Sequence, residues 1–319
     1  MKNTITVYAC GGTGINIGNL IETNLANFNE DATPRAEIIV YYVDTSASNS
    51  KHKNIENVYL FDGMDGSGGW RTRNKDEIAD YIPEIFAKMP PGNLSIVIHS
   101  ASGGSGSVIG PMIAAKLLEK EKAVIDVVIL SAESSIHVKN TVEVLETLEG
   151  ISQYNERVLP VLLCDNTQDS EDKINNGVFA SVYSLAVLFS GDLERLDSAD
   201  LDNWINFDKV TSHPCGAVLL DILSGETAFD KKDIVCSVAS IVKDSSGAYA
   251  EFVEYKTMGI LKDKGSSSSN LHFLLIDGPI LRAHKKFNDM KEEKKNLSVS
   301  RPKRVSIAGD VKQTGGFKF

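Results

Sequence analysis

The 319 residues include 33 Lys and Arg against 43 Asp and Glu, a formal net charge of −10, and 42% of them are hydrophobic. This balance is typical of a globular protein, and no apolar run approaches the ~20 residues of a membrane-spanning helix, so we expect no membrane partner. The first apolar run begins at Thr4, so we expect no signal peptide, and four cysteines without metal-site spacing predict reduced core thiols in a cytoplasm.

The charge is distributed unevenly along the chain. From Arg282 to the end, 11 Lys and Arg stand against 4 Asp and Glu, a balance of +7, so the first 281 residues carry −17. A basic segment of this kind can bind nucleic acid or anionic lipid, and opposite charges on one molecule also favour head-to-tail association of copies.

Short apolar runs rich in β-branched residues recur through the first half of the chain. They predict strands over residues 4–9, 38–43, 58–61, 94–98, 124–130 and 158–164. Runs that do not alternate with polar residues are typical of parallel strands buried on both faces. Segments of helical spacing lie between them, such as Ile78, Ile82, Ile85 and Phe86. The alternation predicts an α/β fold with a doubly wound parallel sheet over residues 1–169.

Three segments of small residues follow predicted strands, over residues 10–16, 63–69 and 99–107. The carboxyl ends of parallel strands meet at one edge of a sheet, where α/β folds bind their ligands. A small-residue loop that leads into a helix brings backbone N–H groups together around an anion, and phosphate is the first candidate. Asp44 directly follows the second strand and can contact a ribose hydroxyl, help to hold a metal or form a local turn.

The sixth strand is followed by a predicted long central helix over residues 170–190. Its apolar residues form a single stripe that advances by three or four positions, Ile174, Val178, Val182, Leu185 and Phe189. Asp197 and Asp200 come next, at the spacing of a capping box. Spacing alone favours a capping role for these carboxylates over a chemical one.

The last third of the chain predicts strands over residues 217–224, 234–242, 252–261 and 271–277. Mixed β structure after an α/β half predicts a smaller, mixed α/β second domain over residues 191–280. We predict a charged helix over residues 281–297 and a mobile basic tail over residues 298–319. Together they form the predicted C-terminal region, residues 281–319.

Three classes of function stay open on these residues alone. The segment from Gly11 to Gly14 with Asp44 is loosely typical of a dinucleotide oxidoreductase, although the G-x-G-x-x-G spacing is absent. Residues 100–104 imitate the nucleophile elbow of a serine hydrolase, but no histidine lies in a partner motif. The third class is a nucleoside triphosphatase with several glycine loops and without the G-x-x-x-x-G-K-[ST] P-loop.

Three motifs together resemble the tubulin/FtsZ superfamily. Residues 11–16 resemble its first nucleotide loop, residues 102–107 its glycine-rich signature loop with Ser105 where Thr is usual, and residues 196–200 its catalytic loop. Their order agrees with that superfamily over roughly residues 1–280. The short chain, the segment 166–168 and the acidic segment 197–204 are most similar to the phage-encoded tubulins of the PhuZ type.

The resemblance implies that GTP or GDP with Mg²⁺ binds at the crevice. It implies phosphate contacts from Gly11, Gly12, Thr13, Asn16, Gly68, Gly69, Ser102, Gly103, Gly104, Ser105, Gly106 and Ser107. Glu133 would approach the ribose, and Asn166 and Asn175 would bind guanine, while Asp44 stays a candidate nucleotide contact. By the same resemblance Asp197 and Asp200 are catalytic and act on the nucleotide of the next subunit. It assigns no residue as a direct ligand of the metal.

The resemblance further implies a head-to-tail homopolymer, in which the tail can join strands of the filament. Its work would be to position phage DNA or the phage replication compartment in the host cytoplasm. A plasmid- or prophage-segregating tubulin is the alternative within the superfamily, and an NAD-dependent oxidoreductase the alternative outside it. Arg195 stands where bacterial division members often carry Asn, and the basic tail where phage members tend to be acidic.

Overall fold

The computed structural model describes residues 3–27, 35–49, 57–229, 233–243, 253–261 and 270–299. Within these ranges the chain forms ten strands and seven α-helices. The strands are β1 (Thr4–Cys10), β2 (Glu37–Asp44), β3 (Val58–Leu60), β4 (Leu94–Ser100), β5 (Val124–Leu130), β6 (Leu159–Asp165), β7 (Ala217–Ser224), β8 (Val235–Val242), β9 (Tyr255–Ile260) and β10 (Leu271–Ile276). The helices are α1 (Gly11–Asn27), α2 (Lys75–Lys88), α3 (Gly106–Glu119), α4 (Ser135–Tyr154), α5 (Glu171–Leu188), α6 (Ser198–Ile205) and α7 (Pro279–Val299).

The ten strands form one sheet in the order β3-β2-β1-β4-β5-β6-β7-β10-β8-β9. Neighbours from β3 to β7 are parallel, whereas β10 pairs antiparallel with both β7 and β8, and β9 is parallel to β8. β7 joins β6 through three residue pairs, from Leu159 with Ala217 to Val161 with Leu219. The last four strands therefore continue the sheet of the first six.

Helices cover both faces of the sheet and bury two layers of apolar side chains. α1, α5 and α6 pack on one face, where Ile17, Val182 and Trp204 belong to the core. α2, α3, α4 and α7 pack on the other face, where Ile113 and Phe287 are fully buried. β5 lies near the middle of the sheet and is buried along its whole length, which explains why its sequence does not alternate with polar residues.

The six strands predicted in the first half are confirmed, with ends that differ by at most two residues. The predicted central helix is confirmed as α5, and Ile174, Val178, Val182 and Leu185 form its buried stripe. Of the later strands, β7 matches its prediction, whereas β9 begins only at Tyr255. α4 escaped prediction because its buried positions include polar residues that dilute the apolar pattern.

Three further predictions concern the C-terminal helix, the cysteines and a membrane span. α7 extends to Val299, two residues beyond the predicted helix, and the rest of the predicted tail lies outside the described residues. The expectation of four core thiols is wrong for Cys164 and Cys215, which are half-buried; all four thiols are free, and only Cys10 and Cys236 are buried. None of the helices in the described ranges combines the length and hydropathy that a membrane crossing requires.

The two tryptophans provide a matched test of this core. Trp204 is fully buried and packs edge-to-face on Phe273, with 6.1 Å between ring centroids, whereas Trp70 is 61% exposed. We expect Trp204→Ala to lower the free energy of unfolding by about 3–5 kcal/mol, because it leaves a large cavity between α6 and the sheet. Trp70→Ala should change it by less than about 0.5 kcal/mol. Urea denaturation followed by circular dichroism measures both, and equal losses would contradict the packing described here.

Candidate functional site

The loops after β1 and β4 meet backbone to backbone at the carboxyl edge of the sheet. Gly11 has φ of +68°, and a Cβ atom added there would lie 2.8 Å from the backbone nitrogen of Gly106. A Cβ atom at Gly106 would in turn lie 2.7 Å from the carbonyl oxygen of Cys10. Glycine at both positions therefore lets the starts of α1 and α3 approach each other more closely than any other residue would.

The loop before α3 also contacts the loops that follow β2 and β3. The Ser105 hydroxyl lies 2.6 Å from the Thr45 hydroxyl and donates a hydrogen bond to the Ser67 hydroxyl at 3.3 Å. A Cβ atom at Gly104 would lie 1.7 Å from the Ser67 hydroxyl oxygen and 3.0 Å from the backbone nitrogen of Gly69. The three small-residue segments that the sequence singled out thus form one cluster.

The N-terminus of α3 opens into this cluster. Ser105 precedes the helix, but its side chain makes no capping hydrogen bond to it. The first N–H groups of a helix have no partner within the helix, and together with the helix dipole they favour an anion. The arrangement fits the phosphate groups of a nucleotide.

Asn140 of α4 connects two of the loops through its side-chain amide, a role that the sequence did not predict. This buried amide nitrogen lies 3.0 Å from the carbonyl oxygen of Gly69, 2.9 Å from that of Ser102 and 3.1 Å from that of Gly103. Because both loops contribute acceptors to one amide group, their spacing depends on this side chain. Nothing else in the sequence indicated this role, because α4 itself was not predicted.

Arg71 adds a second connection between the loop after β3 and the helices beside it. Its guanidinium donates to the carbonyl oxygen of Ser107 at 3.3 Å and pairs with the Glu143 carboxylate at 3.3 Å. Burial lowers the pKa of Arg71, and the charge of Glu143 opposes that shift. The arginine therefore couples α3, α4 and the loop that carries Gly68 and Gly69.

Asp44 organises the loop after β2. Its buried carboxylate accepts hydrogen bonds from the Thr45 backbone at 2.7 Å and from the Asn49 amide at 2.9 Å. Burial raises the pKa of Asp44, and the bonds from Asn49 and Thr45 oppose the rise. Asn49 in turn lies 3.1 Å from the position that a Cβ atom at Gly12 would take. In this arrangement Asp44 positions the loop beside Gly12 through contacts typical of a local turn, and its contact with a nucleotide stays a prediction.

A buried pair lies beneath the glycine loop. His99 of β4 and Asp126 of β5 are both fully buried, with 3.2 Å between the imidazole Nε2 and the carboxylate Oδ2. The His99 ring also fills the space beside Gly110 of α3, where a Cβ atom would lie 2.3 Å from it. Packing of α3 on the sheet therefore depends on this ring and on the absence of a side chain at Gly110.

Glu133, Asn166 and Asn175 lie at the same edge, after β5 and β6. Glu133 is exposed, Asn166 is half-buried and bonds through its backbone N–H to the carbonyl of Leu130, and Asn175 is half-buried in α5. Gly11, Gly12, Thr13 and Asn16 begin α1 directly after β1, which β4 separates from β5 in the sheet. The candidate nucleotide residues thus all follow the carboxyl ends of the parallel strands.

Asp197 and Asp200 form the predicted capping box at the start of α6. The Asp197 carboxylate Oδ1 accepts from the backbone N–H groups of Ala199 and Asp200 at 2.9 Å, and the Asp200 Oδ2 accepts from the Asp197 N–H at 3.2 Å. Arg195, two residues earlier, has φ of +63°, a conformation that Asn and Gly adopt more readily than Arg.

These two aspartates lie at the opposite edge of the sheet from the glycine loops. Asn3, directly before β1, donates to the carbonyl of Phe189 at 3.0 Å, and Ser198 lines one small cavity with Asn3 and Asn93, which precede β1 and β4. The amino and carboxyl edges are separated by the length of β1, whose seven residues span roughly 20 Å. Within one chain the structure therefore does not bring Asp197 and Asp200 to the glycine loops.

Comparison with known proteins decides the family. Residues 4–169, which contain β1 to β6 and the glycine loops, match the Tubulin/FtsZ family, GTPase domain. The chain belongs to the tubulin/FtsZ family. The phage tubulin-like protein of Pseudomonas phage phiKZ is 26% identical in an alignment that covers 94% of this chain and 93% of that one. The phage tubulin-like protein of Pseudomonas phage PhiPA3 is 28% identical in an alignment that covers 84% of this chain and 83% of that one.

Solved structures of phage tubulins share the whole architecture. The structure described as a protofilament of TubZ from bacteriophage PhiKZ has a TM-score of 0.86 and 27% identity, and the similarity covers 96% of this chain and 95% of that one. The phage tubulin PhuZ with GDP has a TM-score of 0.84 and 25% identity, over 96% of each chain. This protein therefore has the tubulin-like α/β fold over nearly its full length.

The close packing at Gly104 generates a prediction for nucleotide binding. In Gly104→Ala the new methyl group would push the loop away from Ser67 and Gly69. We therefore expect the affinity for GTP to fall by a factor of 10 or more, which corresponds to a loss of about 1.4 kcal/mol of binding free energy. Gly150→Ala is the matched control, because a Cβ atom in that part of α4 would meet no atom within 4 Å. Equilibrium binding of a fluorescent GTP analogue measures both variants, and equal affinities would contradict the assignment of this loop.

Proposed function

We propose that this protein is a filament-forming GTPase whose active site is completed by the next copy in the filament. The observation that carries the proposal is the separation of the glycine loops from Asp197 and Asp200 by the full length of the parallel strands. The family and the filament structures of its phage relatives support it. The nucleotide would lie at the carboxyl edge, and the aspartates would reach it from the amino edge of a neighbour.

The glycine loops would bind the phosphates. Gly11 and Gly106, where a Cβ atom would collide with backbone, and Gly104, where it would collide with the Ser67 side chain, form a cradle that leaves N–H groups close to a bound anion. Mg²⁺ takes several of its ligands from phosphate oxygens and water. The hydroxyls of Thr45 and Ser105 lie at this cluster, whereas the Asp44 carboxylate already accepts two hydrogen bonds. The donor set fits a magnesium ion held mainly by the nucleotide, where it would neutralise phosphate charge.

The base and sugar would lie toward β5 and β6. Asn166 and Asn175 are half-buried and carry amides that can both donate and accept, as the guanine edge requires. Glu133 is exposed at the end of the preceding loop, where its carboxylate could accept from a ribose hydroxyl. An NAD-dependent oxidoreductase would instead hold an adenine nucleotide, so the identity of the nucleotide that co-purifies with the protein separates the two functions.

Hydrolysis would use the carboxylates of Asp197 and Asp200 to orient water for in-line attack on the γ-phosphate. Phosphoryl transfer needs little covalent help from the protein, so positioning and charge stabilisation suffice. The capping box is compatible with this role because it uses Oδ1 of Asp197 and Oδ2 of Asp200, and each carboxylate has a second oxygen. One group can therefore both cap α6 and contact water.

Contact between unlike surfaces does not close on itself and extends into a filament unless rotation returns it to the start. Stacking the amino edge of one copy on the carboxyl edge of the next is such a contact. Because it completes the active site, hydrolysis would occur only within the polymer, and the filament would lose its GTP with time. We further propose that the filament works in the host cytoplasm to position phage DNA or the phage replication compartment, as the relatives' phage origin suggests.

Segregation of a plasmid or prophage is the alternative cargo. A segregating filament would more often act through an adaptor protein that binds plasmid or prophage DNA. Affinity purification of the assembled filament from infected cells, followed by sequencing of bound DNA, separates the two.

The trans active site predicts the behaviour of Asp200→Asn. Asparagine keeps an oxygen that can accept the capping bond from Asp197 but removes the charge, so the fold and GTP affinity should be unchanged. We expect turnover to fall at least 100-fold and the filaments to persist, as measured by phosphate release and light scattering. In the wild-type protein, phosphate release per molecule should rise with protein concentration.

Asp192→Asn is the matched control, because Asp192 is an exposed aspartate in the loop before α6 and loses its charge in the same way. It should retain turnover. If Asp200→Asn kept its GTPase activity, or if wild-type activity per molecule were constant from dilute to concentrated protein, Asp200 would be only a helix cap and the site would be complete in one chain.

The basic C-terminal segment would strengthen the contact between copies. It carries +7 while the first 281 residues carry −17, so Arg301, Lys303 and Arg304 would dock on an acidic face of the adjoining copy. The bound segment loses conformational entropy, and charge attraction with burial of Phe317 and Phe319 would have to exceed that cost. The same segment could join strands of a multi-stranded filament.

Deletion of residues 300–319 tests this role and leaves α7 intact. We expect the critical concentration for assembly to rise while the GTP affinity of the monomer stays the same. Replacing Arg301, Lys303 and Arg304 by Glu should have the same effect, and salt should weaken the wild-type contact as the Debye length falls toward ~3 Å at 1 M. If the truncated protein sedimented with GTP at the same critical concentration as the wild-type protein, the segment would have no role in assembly. If the truncated protein assembled normally but no longer retained DNA, the segment would be a nucleic-acid-binding tail.

A further inference from the structure

A second cluster of reactive side chains lies far along the chain from the nucleotide residues. His213 precedes β7, Cys236 is the second residue of β8, and Glu254 directly precedes β9. Their ligand atoms all lie within 4.8 Å of one another. The GTPase mechanism uses none of the three.

The distances give the two nitrogens of His213 different partners. Nδ1 lies 2.8 Å from Oε1 of Glu254, which is a hydrogen-bond distance. Nε2 lies 3.8 Å from the sulfur of Cys236, too far for a strong hydrogen bond. For comparison, nitrogen and sulfur ligands at ~2.1 and ~2.3 Å from a tetrahedral zinc ion lie about 3.6 Å apart. The imidazole and thiol are therefore spaced as two ligands of one metal ion.

We propose that Nε2 of His213 and Sγ of Cys236 bind a zinc ion, with Glu254 as the group that orients the imidazole. A metal-binding histidine usually donates its other N–H to a carboxylate, which fixes the tautomer that leaves the opposite nitrogen free for the metal. The Glu254 contact supplies that bond. On binding, the Cys236 thiol loses its proton to solvent and binds as thiolate, and water completes the coordination.

The surroundings of the pair hold the His213 ring in place and leave one end of the cluster next to solvent. The ring of His213 is held against Phe207, with 4.9 Å between ring centroids, and its side chain is only 7% exposed. The Cys236 sulfur has a weak contact with the carbonyl of Ile234 at 3.6 Å. Glu254, at 30% side-chain exposure, places one end of the cluster at the surface, whereas Cys236 is fully buried.

The chemistry of the donors selects the metal. Thiolate and imidazole favour zinc over magnesium, which prefers oxygen ligands. A bound ion would join the loop that carries His213 to β8, and so connect the segment after α6 to the distal strands of the sheet. This role is independent of GTP hydrolysis, so either conclusion can fail without the other.

Cobalt provides the test, because Co²⁺ substitutes for zinc and a thiolate ligand produces an intense charge-transfer absorption. The reduced full-length chain, with GDP and excess Mg²⁺ present, is titrated with CoCl₂ and then with ZnCl₂. We expect one equivalent of Co²⁺ to produce the thiolate band and one equivalent of Zn²⁺ to remove it. Cys164→Ser, a half-buried thiol outside the cluster, should behave as wild type.

Cys236→Ser should abolish the band, His213→Gln should abolish or strongly weaken it, and Glu254→Gln should weaken the metal affinity by about 10-fold or more. Absence of the band in the wild-type protein would overturn the proposal whether or not the variants fold. A band that persists in Cys236→Ser would also overturn it, since the thiolate would then come from another cysteine.

Discussion

The backbone of Gly11 lies against the backbone of Gly106, and the candidate nucleotide site depends on that contact. It fixes the distance between the loops that follow β1 and β4, and with it the approach of two helix N-termini to one point. A side chain at either position would displace a backbone segment rather than a flexible group. Asn140 and Arg71 then connect the remaining loops to this contact through hydrogen bonds to carbonyl oxygens.

Buried residues beneath the site also determine the conformation of its loops. His99 and Asp126 pair beneath the glycine loop, and Gly110 allows α3 to lie directly on the imidazole ring. Removing one partner of a buried charged or polar pair leaves the other without compensation, which is costly. The loop conformation is thus supported from the core, so that little reorganisation would be needed when a charged ligand binds.

The direction of the parallel strands relates this site to assembly. All strands from β3 to β7 in the sheet order point the same way, so one edge collects the glycine loops and the other receives the segment that carries Asp197 and Asp200. Under the proposed function, neither edge of one copy holds a complete hydrolytic site. One copy would then bind its nucleotide alone and would need a second copy to hydrolyse it.

Much of the fold could be predicted from the sequence because its signals are local. The unalternating run of β5, the stripe of α5 and the capping spacing of Asp197 and Asp200 each involve residues a few positions apart. The contacts that shape the site are not local. Asn140 bonds to residues more than 35 positions away, and His99 meets Asp126 only because β4 and β5 are neighbours.

The sequence also did not predict on which edge of the sheet Asp197 lies, because that depends on where α5 ends in the fold. A capping box predicts how a helix begins and not what it faces. The resemblance of three motifs to a family supplied the functional hypothesis, whereas spacing alone favoured capping. Both interpretations fit the geometry, because the cap uses one oxygen of each carboxylate.

Mixing two inactive variants tests the trans active site most directly. Gly104→Ala should impair nucleotide binding but retain Asp200, and Asp200→Asn should bind nucleotide but lack the charge, so each alone should hydrolyse little GTP. If the site is shared between copies, mixing them should restore phosphate release, because some contacts then join an intact nucleotide loop to an intact Asp200. If the mixture is no more active than the sum of its parts while co-sedimentation shows mixed filaments, the active site is complete within one chain and the account is wrong.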